Sequence, residues 1–386
     1  MALSASHQVS GTHQPAYNDN LWVVDESSTA ITSNFNFKFI CDIKNGSGTL
    51  LNRLKAPIHY RSSDEGVFNI SRILGDYVTY DWDYNDTAAS GCSNSVFDYI
   101  LDFGYEYSTG ATTPIVQTTG VTQVTGNTVW NGSLHPLDFL DYDEADYMMG
   151  TGSSANFLTS LTSKRIHENQ KDWLFALHDS SIDHLSVAFS GGGSTNISAT
   201  SSDITRFPIG ANIPGGIPSG TTSYTITPED SGNSAVGSAF TITIDNRCSK
   251  YESVDLFFLN KYGAVESFRF DRVRRDNFSV NRKDYRKNPY TFSGGAYSYD
   301  RLEHSKSTYY SEMTQRTTLN SNNITEVEAE WLKQLINSPR VWMYDTALVP
   351  INIATSDYEQ RYHVNDKVFN LTLEVEHSFV DKAQIL

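Results

Sequence analysis

The sequence predicts a mainly β protein of two or three antiparallel, β-sandwich-like domains, with one C-terminal α-helix packed on strands. Three observations predict it. Apolar residues alternate with polar ones along much of the chain, as half-buried strands require. Aromatic residues are plentiful, with 22 Tyr, 20 Phe and 6 Trp, and rigid rings suit pleated surfaces. One clear helix signal stands out, near residue 330.

Residues 1–16 are polar and read as an N-terminal arm, free or lying on a neighbour. Residues 17–107 form the first β-sandwich-like domain. In it Leu21-Trp22-Val23-Val24 is a buried strand, and Phe35, Phe37, Phe39 and Cys41 share one face of the next. Asn45-Gly46-Ser47-Gly48 turns that strand into a return beginning at Leu50 and ending by Pro57. Val67 to Leu74 is a strand or a short helix, with Asn69 or Ser71 as a cap. Residues 108–238 form a loop-rich β middle region. A strand-turn-strand signal lies around Gly126-Asn127, and the Ser/Thr/Gly/Pro-rich stretch Ser190 to Gly220 predicts long surface loops. Those loops are either a linker or contacts to partner subunits.

Residues 239–386 form a C-terminal β domain. Its strands begin with the alternation Phe240, Ile242, Ile244, then Val254–Leu259, a turn at Lys261-Tyr262-Gly263, and Val265–Phe270. The helix spans 326–337. Thr325 and Glu328 have capping-box spacing, Val327, Trp331 and Leu335 make an apolar stripe widened by Leu332 and Ile336, and Asn337-Ser338-Pro339 stops it. Strands resume at Val341–Tyr344, Leu348–Ala354 and Val368–Glu376. In the last, Phe369, Leu371, Leu373 and Val375 face one way, expected to pack against the helix carrying Trp331.

A net charge of −16 argues against general affinity for nucleic acid. The charge is uneven: residues 1–200 hold nine Lys/Arg and 22 Asp/Glu, the remainder 20 and 23. Cys41, Cys92 and Cys248 lie far apart without C-x-x-C spacing, so neither a zinc site nor a disulfide framework is expected. The N-terminus has neither a basic start nor an apolar run, and no stretch of about 18 apolar residues occurs, so neither signal peptide nor membrane insertion is expected.

Catalytic and cofactor patterns are not apparent: no phosphate loop, dinucleotide fingerprint, nucleophile elbow or zincin helix. The sequence is therefore read as that of a non-enzyme without cofactors. Two clusters touch on metal binding. His178 and His184, beside Asp179 and Asp183, read as a solvated loop before a ligand pair. The acidic run Asp138 to Asp146 lacks the sixth-position Gly and late Glu of a calcium loop, and its interleaved Phe139, Leu140 and Tyr142 favour an amphipathic segment.

The stretch Arg269 to Lys287 departs furthest from the rest of the chain. It carries Arg269, Arg272, Arg274, Arg275, Arg282, Lys283, Arg286 and Lys287, interleaved with Phe and Tyr. Three readings are open: a solvated strand pair, a contact with an acidic protein surface, or a nucleic-acid contact. Only Asp271, Asp276 and Asp284 lie within it to answer these charges. The expectation taken forward is a subunit contact with an acidic surface, such as the N-terminal half of a neighbouring copy.

Asp245-Asn246-Arg247-Cys248, Val254 to Asn260, Phe268-Arg269-Phe270, Tyr285-Arg286-Lys287, the Trp331 helix and Phe369 to Glu376 occur in an order that resembles virion structural proteins of tailed bacteriophages. The likeness is to those of Bacteroidetes-infecting, crAss-like and marine phages. Pro15 to Asn18, Phe35 to Asp42, Gly66 to Asn69, Arg72-Ile73-Leu74 and Tyr77-Val78 look like the same group. The resemblance covers roughly residues 14–105 and 240–380 and rests on fold-forming residues, so no functional residue carries over. It implies a virion component without enzymatic activity and leaves tail, neck, baseplate or head decoration open. The acidic composition, absent signal peptide and unpaired cysteines agree with synthesis in the bacterial host cytoplasm. The reading taken forward is a multi-copy tail-associated protein, with its own copies and other virion proteins as partners. The alternative it leaves open is a tail attachment protein that binds a host receptor or surface glycan.

Overall fold

The computed structural model describes residues 3–7, 11–26, 34–62, 64–355 and 370–383. It is mainly β, with 49% of residues in strands and 8% helical, and its sheets are predominantly antiparallel. The chain divides into two compact units. One comprises Met1–Asn246 with Leu259–Ser267, the other Arg247–Phe258 with Phe268–Leu386. The boundaries expected at 107/108 and 238/239 are not where the chain divides, because strands pair across both positions.

In the first unit, one core lies between a three-stranded sheet (Leu3–His7, Leu21–Glu26, Glu65–Asn69) and a five-stranded sheet. The latter runs in the order His13–Pro15, Val116–Trp130, Val96–Ser108, Phe35–Asn45, Leu50–Ala56. Trp22, Val24 and Phe68 from the first sheet meet Phe39, Cys41, Ile43, Leu101 and Phe103 from the second. The residues expected to form an arm are thus two strands of this unit: Leu3–His7 pairs antiparallel with Leu21–Glu26, and His13–Pro15 parallel with Val116–Trp130. Their polar side chains misled, since backbone pairing is blind to them. Phe35 leaves the face of Phe37, Phe39 and Cys41 because the strand slips register between Phe35 and Lys38, where Asn36 has φ +54°. Val67–Leu74 resolves into the end of strand Glu65–Asn69 and a helix Ser71–Leu74, entered through Asn69 Oδ1, which accepts from Ser71 N at 3.1 Å.

Around Gly126 there is no hairpin. Val116–Trp130 is a single 15-residue strand, and its partner changes from Leu101↔Val124 to Tyr99↔Asn127 across Gly126 at φ +76°. A glycine in that conformation marks a bulge as readily as a turn.

The same unit holds a four-stranded sheet, Met148–Met149, Trp173–His178, Ile204–Pro208, Ser90–Gly91, and a second five-stranded sheet. The latter is ordered Ser163–His167, Phe240–Asp245, Ser223–Glu229, His184–Phe189, Ser194–Ser198. The surface loops expected over Ser190 to Gly220 contain two strands, and all five residues of Ile204–Pro208 are buried. Polar composition hid them, because Thr205 and Arg206 are buried with partners: Thr205 with His178, Arg206 with Asp81 and Asp86. Phe240–Asp245, expected in the C-terminal domain, pairs parallel with Ser163–His167 here.

Residues 259–267, the tip of the hairpin between Val254–Leu259 and Val265–Phe270, also belong to this first unit. Gly263, at φ +73°, lies so close to Asn131 that a Cβ would sit 1.6 Å from its carbonyl oxygen. Ser133 N donates to Lys261 O at 2.7 Å, and Thr159 Oγ1 to Glu266 Oε1 at 2.6 Å.

The second unit is built on an eight-stranded sheet. Its order is Val265–Phe270, Val254–Leu259, Val341–Tyr344, Leu348–Ile353, Thr372–His377, Lys306–Asn320, Arg275–Arg286, with Asp381–Lys382 also beside Lys306–Asn320. The helix Glu326–Ile336 carries the expected capping box, with Thr325 accepting from Glu328 N and Glu328 reaching back to Thr325 N. Its buried residues are Ala329, Trp331, Leu332 and Leu335. Val327 is 64% exposed instead of joining the stripe. At about 100° per residue it falls well over 90° from the middle of that buried arc. Trp331 meets the rings of Phe258 at 5.4 Å and Phe268 at 6.0 Å. Leu371, Leu373 and Val375 are buried as their alternation predicts, while Phe369 lies outside the described residues.

Candidate functional site

The basic stretch divides into three environments within the second unit. Arg269 is internal. Its Nε and a terminal nitrogen bind Asp255 at 2.6 and 2.7 Å, with both side chains 8% exposed. It cannot meet a partner, which corrects the expectation that all eight cations do. Arg274 is half-buried between Asp276 at 3.0 Å and Asp345 at 2.7 Å. Burial raises the Asp345 carboxyl, but hydrogen bonds from Arg274 and Thr346 outweigh it and bring the pKa to about 2. Arg272 donates to Asn322 Oδ1 at 2.8 Å.

The other five lie on or next to the strand Arg275–Arg286, whose twelve residues are all exposed. Among the described residues it is the last strand of its sheet and pairs on one side, with Lys306–Asn320. Lys283 stands over the Tyr310 ring at 5.4 Å, and Lys287 pairs with Glu303. Arg275, Arg282 and Arg286 form no ion pair with a described residue.

Strands Thr372–His377 and Asp381–Lys382 flank Lys306–Asn320 only over Arg316–Asn320 and at Glu312 and Met313. Beyond Ser311 the described chain is a two-stranded ribbon. It continues into a small hairpin, Tyr290–Ser293 with Ala296–Tyr299, closed by Gly294-Gly295. The whole pair of Arg275–Arg286 with Lys306–Asn320 extends roughly 40 Å at the usual rise per residue, its outer part being the bare ribbon. A bare two-stranded ribbon is marginal in water, and aromatic pairs stiffen this one: Tyr285 with Tyr309 at 6.2 Å, Tyr290 with Tyr297 at 5.4 Å, Phe292 with Tyr297 at 5.0 Å. Those rings remain largely open, with Phe292, Tyr297 and Tyr299 between 63% and 73% exposed.

The two clusters weighed for metal binding both line one open cavity of about 640 Å³ in the first unit, which Asp143, Glu144 and Asp179 share with Gly11 and residues 150–154. Their polar atoms have structural partners. Glu144 accepts from Thr12 N at 2.8 Å and His13 N at 3.0 Å, Asp143 caps Ala145 N, and Asp179 caps Ser181 N. His178 is buried between the Asp179 carbonyl and Thr205, and burial lowers its pKa. His184 sits elsewhere, with Asp183 at 3.0 Å and Glu229 at 3.3 Å. Among the described residues no group of three or more His, Cys, Asp or Glu side chains is placed to hold a metal ion.

One cluster escaped the sequence altogether. His13 lies 2.7 Å from Glu144 and 3.9 Å from Asp203, residues 131 and 190 positions away. Burial pulls its pKa down, the two carboxylates push harder the other way, and the result is about 9. No local pattern announces a pair so distant in the chain.

No family model matches this chain, and no curated protein matches it. Among solved structures, one from a 1.5-MDa bacterial ice-binding adhesin, studied for its host cell surface retention, is similar at 11% identity and a TM-score of 0.20. That match covers 83% of this chain and 93% of that one. The native conformation of E. coli alpha-2-macroglobulin is similar at 8% identity and a TM-score of 0.21, covering 97% of this chain and 20% of that one. Likeness at this level carries no argument about function.

Proposed function

We propose that this chain is a structural component of a bacteriophage virion, present in several copies in the tail region, and that the Arg275–Lys306 ribbon joins it to neighbouring subunits. The observation that carries this reading is the exposed edge strand Arg275–Arg286, with three cations that form no ion pair with a described residue. A long open edge is a ready template for another chain. The resemblance of the order of its fold-forming motifs to that of phage virion proteins supports the setting, and the reading assigns the chain no catalysis.

The test is incorporation into particles. Arg275, Arg282 and Arg286 reversed together to Glu should leave the free chain's melting temperature unchanged and reduce incorporation. Arg274 is left out, since reversing it would set a carboxylate against Asp276 and Asp345. Incorporation equal to wild type refutes the reading. The open rings at the ribbon's end favour a second reading, a tail attachment protein that stacks on host surface glycan. Glycan-array binding lost on Tyr297→Ala with Tyr299→Ala would support that second reading.

A further inference from the structure

We infer that the partner of the edge strand is the same strand of a second copy, paired antiparallel about a two-fold axis through Ser279. This rests on the reading of the ribbon as a subunit contact and names its occupant.

Side chains alternate faces along a strand, so Asp276, Phe278, Val280, Arg282 and Asp284 share one face, and Arg274, just before the strand, joins that face through its 3.0 Å bond to Asp276. Read in either direction, that face complements itself. With Ser279 opposite its own copy, Arg274, which also holds Asp276 and Asp345, faces Asp284 of the second copy, which Lys306 holds at 2.8 Å and Thr308 at 2.6 Å. Asp276, which also accepts from Thr317, faces Arg282, whose guanidinium has no ion pair with a described residue, and Phe278 faces Val280. Two-fold symmetry repeats each pair, giving four opposite-charge pairs around two apolar ones. Neighbouring registers lose this. A shift one way sets Asp276 against Asp284 and Arg274 against Arg286; a shift the other way sets Arg274 against Arg282. Shifts that exchange the faces are forbidden by the pleat.

The structure leaves the strand ready for this. Its outer edge pairs with no described strand, every residue is exposed, and Phe278 and Val280 are 54% and 41% open. The one-residue bulge opposite Lys283 and Asp284 falls on the inner partner, where Tyr309 is the extra residue, so the outer strand runs regularly. Charges of one sign would blunt an edge; alternating signs specify a register. On the opposite face Asn277 meets Asn281 and Ser279 itself, and the like-charged Arg275 and Lys283 meet near the ends. The latter are exposed, and Lys283 is held over its own Tyr310. The complement expected on the acidic N-terminal half is therefore present within the strand itself.

The experiment uses the full chain in sedimentation velocity across a concentration series. Wild type should dimerise, more weakly as salt rises. Arg282→Glu should weaken the dimer roughly tenfold or more, since two attractions become repulsions. Asp276→Arg should do the same, and mixing the two variants should restore association, because both cross-pairs are then of opposite charge. As a variant that leaves the charge network intact, Ser279→Cys with Cys248→Ser should form an interchain disulfide on mild oxidation, since opposed strand residues lie within disulfide reach. Asn281→Cys in the same background should not. A wild type that stays monomeric, or crosslinking at 281 and not at 279, overturns the self-pairing. If the monomeric wild type still loses incorporation with the triple reversal, the contact reading survives and its occupant is another surface.

Discussion

Replacing Arg269 by Met should destabilise the second unit by about 3–5 kcal/mol, the usual cost of removing one partner from a buried ion pair. Methionine keeps much of the apolar stem, so the change isolates the guanidinium. What remains is the Asp255 carboxylate, as enclosed as its partner at 8% exposure, having lost bonds of 2.6 and 2.7 Å. The unit spans roughly 130 residues, and for that size such a loss lowers the melting temperature by about 10–20 °C. Differential scanning calorimetry would read it, with Arg275→Met as the comparison. Arg275 lies six residues further on, exposed and without an ion pair to a described residue, and its replacement should stay within about 0.5 kcal/mol. Adding Asp255→Asn to Arg269→Met should recover part of the loss, since no bare charge is then buried. Equal melting temperatures for Arg269→Met and wild type would refute the assignment of Arg269 to the interior.

Two further outcomes follow from other contacts. Trp331→Ala should cost about 3–5 kcal/mol by opening a cavity beside Phe258 and Phe268, and an unaltered thermal melt would refute that packing. His13 has a folded pKa of about 9 against an ordinary 6.5, so it favours the folded state fully below about pH 6.5. That contribution is lost as pH rises through 9, and a melting-temperature profile between pH 6 and 10 should flatten in Glu144→Gln; an equal slope in both proteins would refute it.

What the sequence reveals here tracks the range of the interaction that decides each feature. The helix at Glu326 was legible because Thr325, Glu328 and the apolar spacing all act within one element. The buried alternation of Leu371, Leu373 and Val375 is equally local. Strand Ile204–Pro208 was not legible, because Arg206 is acceptable in a core only through Asp81 and Asp86, some 120 positions earlier. The candidate site shows both cases. Its cations were visible as composition, but composition could not separate Arg269, neutralised by Asp255, from Arg282, which has no ion pair with a described residue. The self-complementary order of Arg274 to Asp284 is written in the chain, and it acquires meaning only once that segment is known to be an outer strand.

The hairpin tip at Gly263 bears on how the chain is made. Residues 259–267 fill a place in a unit whose other strands end at Asp245. Synthesis runs from the N-terminus, so when the ribosome has delivered Asn246 that unit still lacks the segment that seats against Asn131, Ser133 and Thr159. It closes only after Ser267 has emerged, and by then the second unit's first strand has been synthesised as well. Two bodies distinct in space are therefore not sequential in time. Cutting between Asn246 and Arg247 would give an N-terminal fragment without its last nine residues and a C-terminal one carrying nine that belong elsewhere.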